Sequence, residues 1–349
     1  MTRMLKIGSH EISDANPCYV IAEVGHNHQG NLETCREMFR QAKLCGVSAV
    51  KLQKRDNRSL YVKTMYDKSY DHENSFGVTY GEHREALEFS RDEYRLLQQF
   101  SQELGVDFFA TVFDFASSDM LAELDVPAFK IASGDLTNTP LLRHTAKYGK
   151  PMFISTGGSS IDDVQRAYDE VMSINTQLCI MQCTADYPAK FDQLDLRVIE
   201  TYRELFPDIV IGYSSHDNGI AMPAASYVLG ARVIEKHFTL NRAMKGTDHA
   251  FSLEPVGMRK MSRDLQRLHM ALGDGKKKQY SVEASAIIKM GKKLVAARNL
   301  PVGHVLGPDD ICIKSPGDGL PPYELSNVLG CKTLRSLAED EDITIEVLS

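Results

Sequence analysis

The sequence lacks a hydrophobic run long enough to cross a membrane. Its longest stretches without a charged residue, 171–185 and 218–231, both contain polar residues or proline. A membrane-spanning helix needs ~18 apolar residues, so we expect no segment to span a bilayer. Residues 1–8 also lack the continuous apolar core of a secretory signal. These absences predict a cytoplasmic protein.

An excess of basic residues is also missing. The 349 residues include 40 Lys plus Arg and 47 Asp plus Glu, which gives a formal net charge of −7. This balance gives no general reason to expect binding to nucleic acid or to an anionic membrane. With 43% hydrophobic and 25% charged residues, the composition is typical of a globular protein and excludes disordered, collagen-like and coiled-coil classes.

Several short motifs are absent. The seven cysteines form no CxxC pair, and their odd number in a chain of this size predicts reduced thiols that are mostly buried. No GxGxxG precedes a helix and no GxxxxGK[ST] occurs. The sequence therefore offers no local support for a dinucleotide or a nucleoside triphosphate.

Eight short apolar runs are present, with helical segments between them. They span residues 19–24, 47–52, 108–113, 128–132, 152–155, 178–183, 209–213 and 232–235. Continuous apolar runs fit strands that are buried on both faces of a parallel sheet. Eight strand–helix units over about 270 residues predict a (β/α)8 barrel, and a doubly wound open sheet is the alternative. The clearest helices are expected at 32–45, 92–104, 161–173, 194–205 and 258–272.

The domain organisation follows from the same pattern. We predict a barrel domain over residues 1–275, a linker over 276–291 and a small β-rich domain over 292–349, where turns rich in Pro and Gly recur. The segment between Gln53 and Arg84 shows no periodicity and carries many aromatic residues. It is expected to be either a lid over the catalytic face or a mobile surface loop.

Polar side chains follow every predicted strand. Barrel enzymes carry their chemistry at the C-terminal strand ends, so these residues predict a convergent site, although a solvated rim would explain any single one. The residues are Glu23, Lys51, Gln53, Thr111, Asp114, Lys130, Ser133, Ser155, Thr156, Thr184, Ser214, His216, Glu235 and His237.

Two kinds of chemistry are predicted at these strand ends. Ammonium and hydroxyl groups could together bind a small phosphate dianion. The residues that supply them are Lys51, Thr111, Lys130, Ser133, Ser155 and Ser214. His216 and His237 end consecutive strands and predict an open site for Zn, Mn, Fe or Co, which would act as a Lewis acid on a carbonyl. The carboxylates of Glu23 and Glu235 are available as bases or as hydroxyl anchors.

Several ordered motifs resemble one family. Residues 21–30 read IAEVGHNHQG and resemble the IAE[IV]GxNHxG opening of the sialic acid synthase family. Further similar stretches are VKLQ at 50–53, FKIASGD at 129–135, GYSSHD at 212–217, IEKHFT at 234–239 and DHAFSLEP at 248–255. Residues 297–330 resemble the antifreeze-like (SAF) module that ends members of this family.

The resemblance implies a condensation of phosphoenolpyruvate with an N-acylated amino-sugar aldehyde of the N-acetylmannosamine type. The product would be N-acetylneuraminate or a related nonulosonate. The alternative is a legionaminate or pseudaminate synthase acting on a 2,4-diacetamido-trideoxy sugar. By resemblance, the catalytic residues are Glu23, Glu235, Lys51 and Lys130, and phosphoenolpyruvate is held by Lys51, Thr111, Lys130, Ser133, Ser155 and Ser214.

The resemblance also assigns the remaining partners. The residues that would contact the sugar are Glu23, Gln53, Tyr187, Glu235 and Asp248. His216 and His237 would hold a divalent metal, typically Mn²⁺, with Mg²⁺ or Co²⁺ as alternatives. The family further implies a domain-swapped homodimer.

Two departures from the family pattern bear on the substrate. Ala185 stands where members often have Asn or Ser, and Ser315 stands where an Arg usually reaches the N-acyl group of the sugar. Two rival functions remain open at this stage. One is a Schiff-base aldolase using Lys51 or Lys130, and the other is a non-catalytic binding or ice-active protein suggested by the tail alone.

Overall fold

The computed structural model describes residues 3–349 and divides the chain into two units, with the boundary after Gly273. The strands are β1 (Met4–Ile7), β2 (His10–Ser13), β3 (Tyr19–Gly25), β4 (Ala49–Lys54), β5 (Asp107–Val112), β6 (Phe129–Ile131), β7 (Met152–Ser155), β8 (Leu178–Cys183), β9 (Val210–Ser215), β10 (Val233–His237), β11 (Lys293–Ala296) and β12 (Ile311–Lys314). None of the helices among these residues is both long and apolar enough to cross a membrane.

Helices follow each barrel strand of the first unit, and the last two helices named here belong to the second unit. The helices are α1 (Leu32–Leu44), α2 (Asn57–Leu60), α3 (Lys63–Tyr66), α4 (Tyr80–Glu85), α5 (Arg91–Leu104), α6 (Phe115–Glu123), α7 (Thr139–Ala146), α8 (Ile161–Met172), α9 (Val198–Leu205), α10 (Ala221–Val228), α11 (Pro255–Ala271), α12 (Ala284–Met290) and α13 (Leu325–Val328).

Strands β3 to β10 form a closed parallel barrel in which β10 pairs with β3. Every residue of β3, β7, β8, β9 and β10 is buried, as expected for strands that are covered by helices on one face and by the barrel interior on the other. The barrel confirms the predicted (β/α)8 fold and excludes the open sheet. The antiparallel hairpin β1–β2 precedes it.

Some predicted helices differ from those observed. The helix expected over 194–205 begins only at Val198, because Asp195 adopts a positive φ of 42° that a right-handed helix does not allow. The eight predicted strand–helix units require helices at the positions of α6, α7 and α10, although no bounds were predicted for them, and α10 has no charged residue to mark a polar face. The segment after Gln53 is not structureless, since it contains α2, α3 and α4.

The second unit, Asp274–Ser349, has an apolar core of its own that includes Leu294, Leu300, Leu306 and Ile343. Strands β11 and β12 pair antiparallel, and several single β-bridges connect the surrounding loops. This small antiparallel architecture confirms the β-rich tail. Lys292 Nζ donates a hydrogen bond to Ser315 Oγ at 2.5 Å in this unit.

Asp310 holds one turn of the second unit together. Its carboxylate accepts hydrogen bonds from the Gly307 backbone N–H at 2.8 Å and from Arg298 Nη2 at 2.6 Å, and His304 Nε2 lies 2.8 Å away. The Gly307 N–H and then His304 lower the pKa of Asp310 to about 2. The ionised carboxylate therefore stabilises this turn.

We expect Asp310→Asn to lower the free energy of unfolding by roughly 1–2 kcal/mol, because hydrogen bonds to a charged group are lost. The lowered pKa means that this stabilisation is complete above the unfolded pKa near 4 and disappears as the pH falls through about 2. Thermal unfolding at pH 7 tests the loss. The neighbouring exposed Asp309 supplies the control variant Asp309→Asn, and equal stability of the two variants would contradict the prediction.

Candidate active site

A cavity of about 520 Å³ is lined by side chains from the C-terminal ends of the barrel strands. Every residue that the sequence assigned to substrate or metal lines it: Glu23, Lys51, Gln53, Thr111, Lys130, Ser133, Ser155, Tyr187, Ser214, His216, Glu235, His237 and Asp248. The polar strand ends therefore converge on one space rather than forming a solvated rim. The functional role of each residue stays a prediction.

Three of the strand-end residues do not line the cavity. Asp114 caps α6 by accepting a hydrogen bond from the Ser117 N–H at 2.7 Å. Thr156 and Thr184 instead donate their hydroxyls to backbone carbonyls. Asp and Thr have short polar side chains that readily form hydrogen bonds with neighbouring backbone groups. The position of an Asp or Thr after a strand therefore does not by itself predict a functional site.

Two buried lysines and two buried glutamates meet in this cavity. Lys51 Nζ lies 2.7 Å from Glu23 Oε2 and 3.7 Å from Glu235 Oε1, and it donates a hydrogen bond to Thr111 Oγ1 at 2.6 Å. Lys130 Nζ donates to Ser155 Oγ at 2.5 Å. Since buried charges need partners, this cluster balances two positive charges with two negative ones.

The two glutamates are not equivalent. Burial raises the pKa of Glu23. Burial acts in the same direction on Glu235, but Lys51 and Lys130 outweigh it and lower the pKa of that carboxyl. When the environment separates the pKa values of two neighbouring acids, they can act in different roles. Glu235 is suited to remain an anion, and Glu23 is the carboxylate that gains a proton more easily.

His216 and His237 lie side by side, with ring centroids 5.5 Å apart. His216 Nδ1 is 2.8 Å from the backbone carbonyl of Thr184. Because a carbonyl can only accept, a proton is assigned to Nδ1, and in the neutral imidazole Nε2 carries the lone pair. Burial lowers the pKa of His237 to about 3, so this imidazole is neutral. Its Nδ1 is buried without a hydrogen-bond partner among the described residues.

These two imidazoles fit a divalent metal site that remains open to substrate and water. Within residues 3–349, no group of three or more His, Cys, Asp or Glu side chains is arranged to hold a metal ion by itself. A metal held by these two imidazoles would keep coordination positions for substrate and water. Such an arrangement is typical of catalytic rather than structural sites.

Gln53 connects the buried cluster to the outer part of the cavity. Its Nε2 donates to Glu23 Oε1 at 2.8 Å, and its Oε1 accepts from Arg55 Nη2 at 2.7 Å. Gly25 has a positive φ of 54°, and a Cβ there would lie 3.3 Å from both Gln53 Nε2 and Glu23 Oε1. Glycine at this position therefore leaves room for the Gln53–Glu23 hydrogen bond.

The sequence analysis missed several residues that line the cavity: Arg55, Tyr70, Arg84, Phe113, Cys183 and Thr247. Arg55 had a usable signal, because it follows Gln53 by two positions and side chains alternate along a strand. Arg84 and Tyr70 had none, since they lie in the segment without periodicity. Cys183 was interpreted as a core thiol, and it is indeed buried, yet its Sγ lies 3.7 Å from His216 Nδ1.

Comparison with known proteins identifies the family. The NeuB family profile matches residues 38–277 and the SAF domain profile matches residues 293–346. N-acetylneuraminate-9-phosphate synthase of Homo sapiens is 40% identical over 338 residues, which cover 97% of this chain and 94% of that protein. N,N'-diacetyllegionaminic acid synthase of Legionella pneumophila is 34% identical over 327 residues, covering 92% of each chain.

A solved structure agrees with these matches. N-acetylneuraminic acid synthetase from Leptospira borgpetersenii superposes with a TM-score of 0.72 at 30% identity and covers 82% of this chain and 96% of that one. The chain belongs to the NeuB family, which confirms the resemblance seen in its motifs. It is a carbon–carbon bond-forming synthase of the nonulosonate type.

Proposed function

We propose that this synthase condenses phosphoenolpyruvate with an N-acylated amino-sugar aldehyde of the N-acetylmannosamine type and releases phosphate. The observation that carries the proposal is the buried cluster in which Lys51 bridges Glu23 and Glu235 beside Lys130. A buried, charged site of this kind is preorganised for a reaction in which charge develops. The neighbouring imidazoles of His216 and His237 support the same interpretation.

Each step of the reaction can be assigned to groups that line the cavity. Lys51 and Lys130, with the hydroxyls of Thr111, Ser133, Ser155 and Ser214, hold the carboxylate and phosphate of phosphoenolpyruvate. Its C3 attacks the aldehyde carbon, and the anionic Glu235 stabilises the cation formed at C2. Water then adds at C2. Phosphate leaves as the C–O bond of the tetrahedral intermediate breaks, and it takes up the proton that the C2 hydroxyl loses on becoming the keto group of the product.

Proton transfer falls to Glu23 in this proposal. The aldehyde oxygen gains a proton as the carbon–carbon bond forms, and the water that adds at C2 loses one. A carboxyl with a raised pKa is suited to give the first proton and take the second. His216 and His237 would hold a divalent metal, Mn²⁺ by preference with Mg²⁺ or Co²⁺ as alternatives, and the bound metal would supply a Lewis acid for the aldehyde.

The acceptor sugar has a second candidate. Relatives of this chain include N,N'-diacetyllegionaminic acid synthases and a pseudaminic acid synthase from Campylobacter jejuni. A 2,4-diacetamido-trideoxy sugar therefore stands as the alternative acceptor. Gln53, Tyr187 and Asp248 lie at the part of the cavity where either sugar would bind.

Phosphate release from phosphoenolpyruvate tests the proposal directly. We expect release only when an acceptor sugar and Mn²⁺ are both present, with N-acetylmannosamine, its 6-phosphate and a 2,4-diacetamido sugar as the panel. Release without any sugar serves as the blank. Trapping of a sugar on Lys51 or Lys130 by borohydride would instead indicate the Schiff-base aldolase.

Three further predictions concern the whole molecule. We propose a homodimer in which the SAF domains are exchanged, a cytoplasmic location, and domain limits of 1–275 and 292–349 around a linker. The family matches at 38–277 and 293–346 support the limits. The mass in solution tests the dimer, and removal of residues 292–349 should then weaken sugar binding more than phosphoenolpyruvate binding.

A further inference from the structure

A buried polar network connects the ends of β9 and β10. Lys236 and Asp217 are both fully buried, and Lys236 Nζ lies 3.5 Å from Asp217 Oδ1. The ammonium group also donates hydrogen bonds to Ser215 Oγ at 2.7 Å and to the backbone carbonyl of Asp217. Ser215 Oγ in turn donates to Asp217 Oδ1 at 2.5 Å. These three residues are called the Lys236 network.

The network lies behind the two cavity histidines. Side chains along a strand point alternately to opposite faces. Glu235 and His237 line the cavity, and Lys236 between them does not, so Lys236 lies on the outer face of the barrel. Strand pairing places Lys236 beside Ser215, which directly precedes His216. Each cavity histidine therefore follows a residue of the network.

The outer layer of the barrel is apolar at the matching level of five other strands. Each of the following residues is buried and adjoins a residue that lines the cavity: Val24, Leu52, Val112, Ile131 and Ile154. An ion pair is therefore not needed to fill this layer, and replacing a buried ion pair by apolar residues is often neutral or stabilising. Asp217 Oδ2 is also buried without a hydrogen-bond partner among the described residues. The network is thus poorly explained by stability alone.

We propose that the Lys236 network positions His216 and His237 for the divalent metal. This inference rests on the proposed function, in which the two imidazoles hold that metal. Hydrogen bonds and ion pairs have narrow ranges of length and direction, whereas apolar contacts are not directional. The network therefore fixes how the ends of β9 and β10 lie beside each other. It thereby sets the spacing of the two imidazoles, whose ring centroids are 5.5 Å apart.

One lysine constrains both histidines. The carbonyl that accepts its hydrogen bond belongs to Asp217, the residue directly after His216, and His237 directly follows Lys236 itself. On its other side, His216 is held by the contact of its Nδ1 with the carbonyl of Thr184 at 2.8 Å. A site with two proposed protein ligands has few bonds to compensate for the displacement of one. Its affinity for metal should therefore depend on this spacing.

Binding of Mn²⁺ to the metal-free protein tests the inference without turnover. Lys236→Met alone leaves Asp217 buried without its cation and is expected to be less stable. Combining Lys236→Met with Asp217→Asn removes both charges, so we expect this double variant to unfold at a temperature close to that of wild type. Its dissociation constant for Mn²⁺, measured by calorimetry, should rise about 10- to 100-fold, the range for lost outer contacts of metal ligands. Ser215→Ala keeps both charges and should raise the constant less.

A second buried polar pair supplies the matched control. Ser118 Oγ lies 3.0 Å from Thr145 Oγ1 between α6 and α7, and neither residue lines the cavity. Ser118→Ala combined with Thr145→Val removes this pair and should leave the dissociation constant for Mn²⁺ unchanged. A Lys236/Asp217 double variant that binds Mn²⁺ as tightly as wild type would overturn the inference. An equal loss of affinity in the control would do the same.

Metal binding and phosphate release separate this inference from the proposed function. Weaker Mn²⁺ binding by the double variant would support the positioning role even if wild type releases no phosphate with any sugar, and in that case only the proposed reaction fails. Phosphate release by wild type, together with unchanged Mn²⁺ binding by the double variant, would overturn the inference and leave the reaction standing. Mn²⁺ binding that is absent in wild type, or that His237→Ala retains in full, would overturn the inference as well.

Discussion

Replacement of either cavity imidazole, by His216→Ala or His237→Ala, is expected to lower kcat by two to three orders of magnitude or more while the barrel stays folded. Each change removes one of only two protein ligands proposed for the metal, and loss of a Lewis acid removes several kcal/mol of transition-state stabilisation. Treatment with EDTA should have the same effect on wild type, and added Mn²⁺ should restore turnover.

His269→Ala provides the matched control for the histidine variants. His269 lies on α11, contacts the Tyr227 hydroxyl at 3.1 Å and does not line the cavity. Its loss is expected to leave the response to EDTA and Mn²⁺ unchanged. Full turnover of metal-free wild type would refute the metal site, whatever the histidine variants do.

The second large effect is expected from Lys51→Met. This change leaves Glu23 and Glu235 buried without their shared cation, and breaking a buried ion pair in this way destabilises a protein by about 3–5 kcal/mol. The lost electrostatic stabilisation of the reaction should also lower kcat/KM by about 10²–10³-fold or more. Chemical denaturation and steady-state kinetics measure the two effects.

A double variant separates stability from catalysis at this position. Adding Glu23→Gln to Lys51→Met removes one of the two carboxylates that Lys51 contacts, so we expect part of the stability to return. Activity should stay low, because Lys51 and Glu23 are both proposed to take part in the reaction. Lys147→Met, at an exposed position, controls for the loss of a lysine. Recovery of activity together with stability would show that Lys51 has a structural role only.

Much of the barrel was predictable because its strands are mostly apolar on both faces until the polar residues near their C-terminal ends. The runs ending near Val24, Leu52 and Cys183 coincide with β3, β4 and β8, since burial on both faces removes the polar alternation that other strands show. The bounds of helix α10 were not predicted, for the related reason that it carries no charge. The start of α9 was wrong because the backbone conformation of Asp195 has no signature in composition.

The candidate site was predictable to the extent that strand ends carry it. Barrel topology brings the C-terminal strand ends together, so residues such as Lys51 and His237 could be assigned to one site from the sequence alone. Pairing could not be predicted in the same way, because nothing in the sequence shows that Lys51 contacts Glu23 more closely than Glu235. The position of Arg84 at the cavity could not be predicted, because its segment consists of short helices and loops with little periodicity.

The hydrogen bond from His216 to the carbonyl of Thr184 limits which sequence changes the loop between β8 and Tyr187 can accept. A main-chain oxygen is present whatever amino acid occupies a position, so the tautomer of His216 depends on the path of the chain and not on the residue type at 184. Point substitutions at 184 or 185, including the alanine already found at 185, are then compatible with an intact imidazole orientation. Insertions or deletions between β8 and Tyr187 would displace that oxygen, so natural variation here should alter residue identity while loop length stays constant.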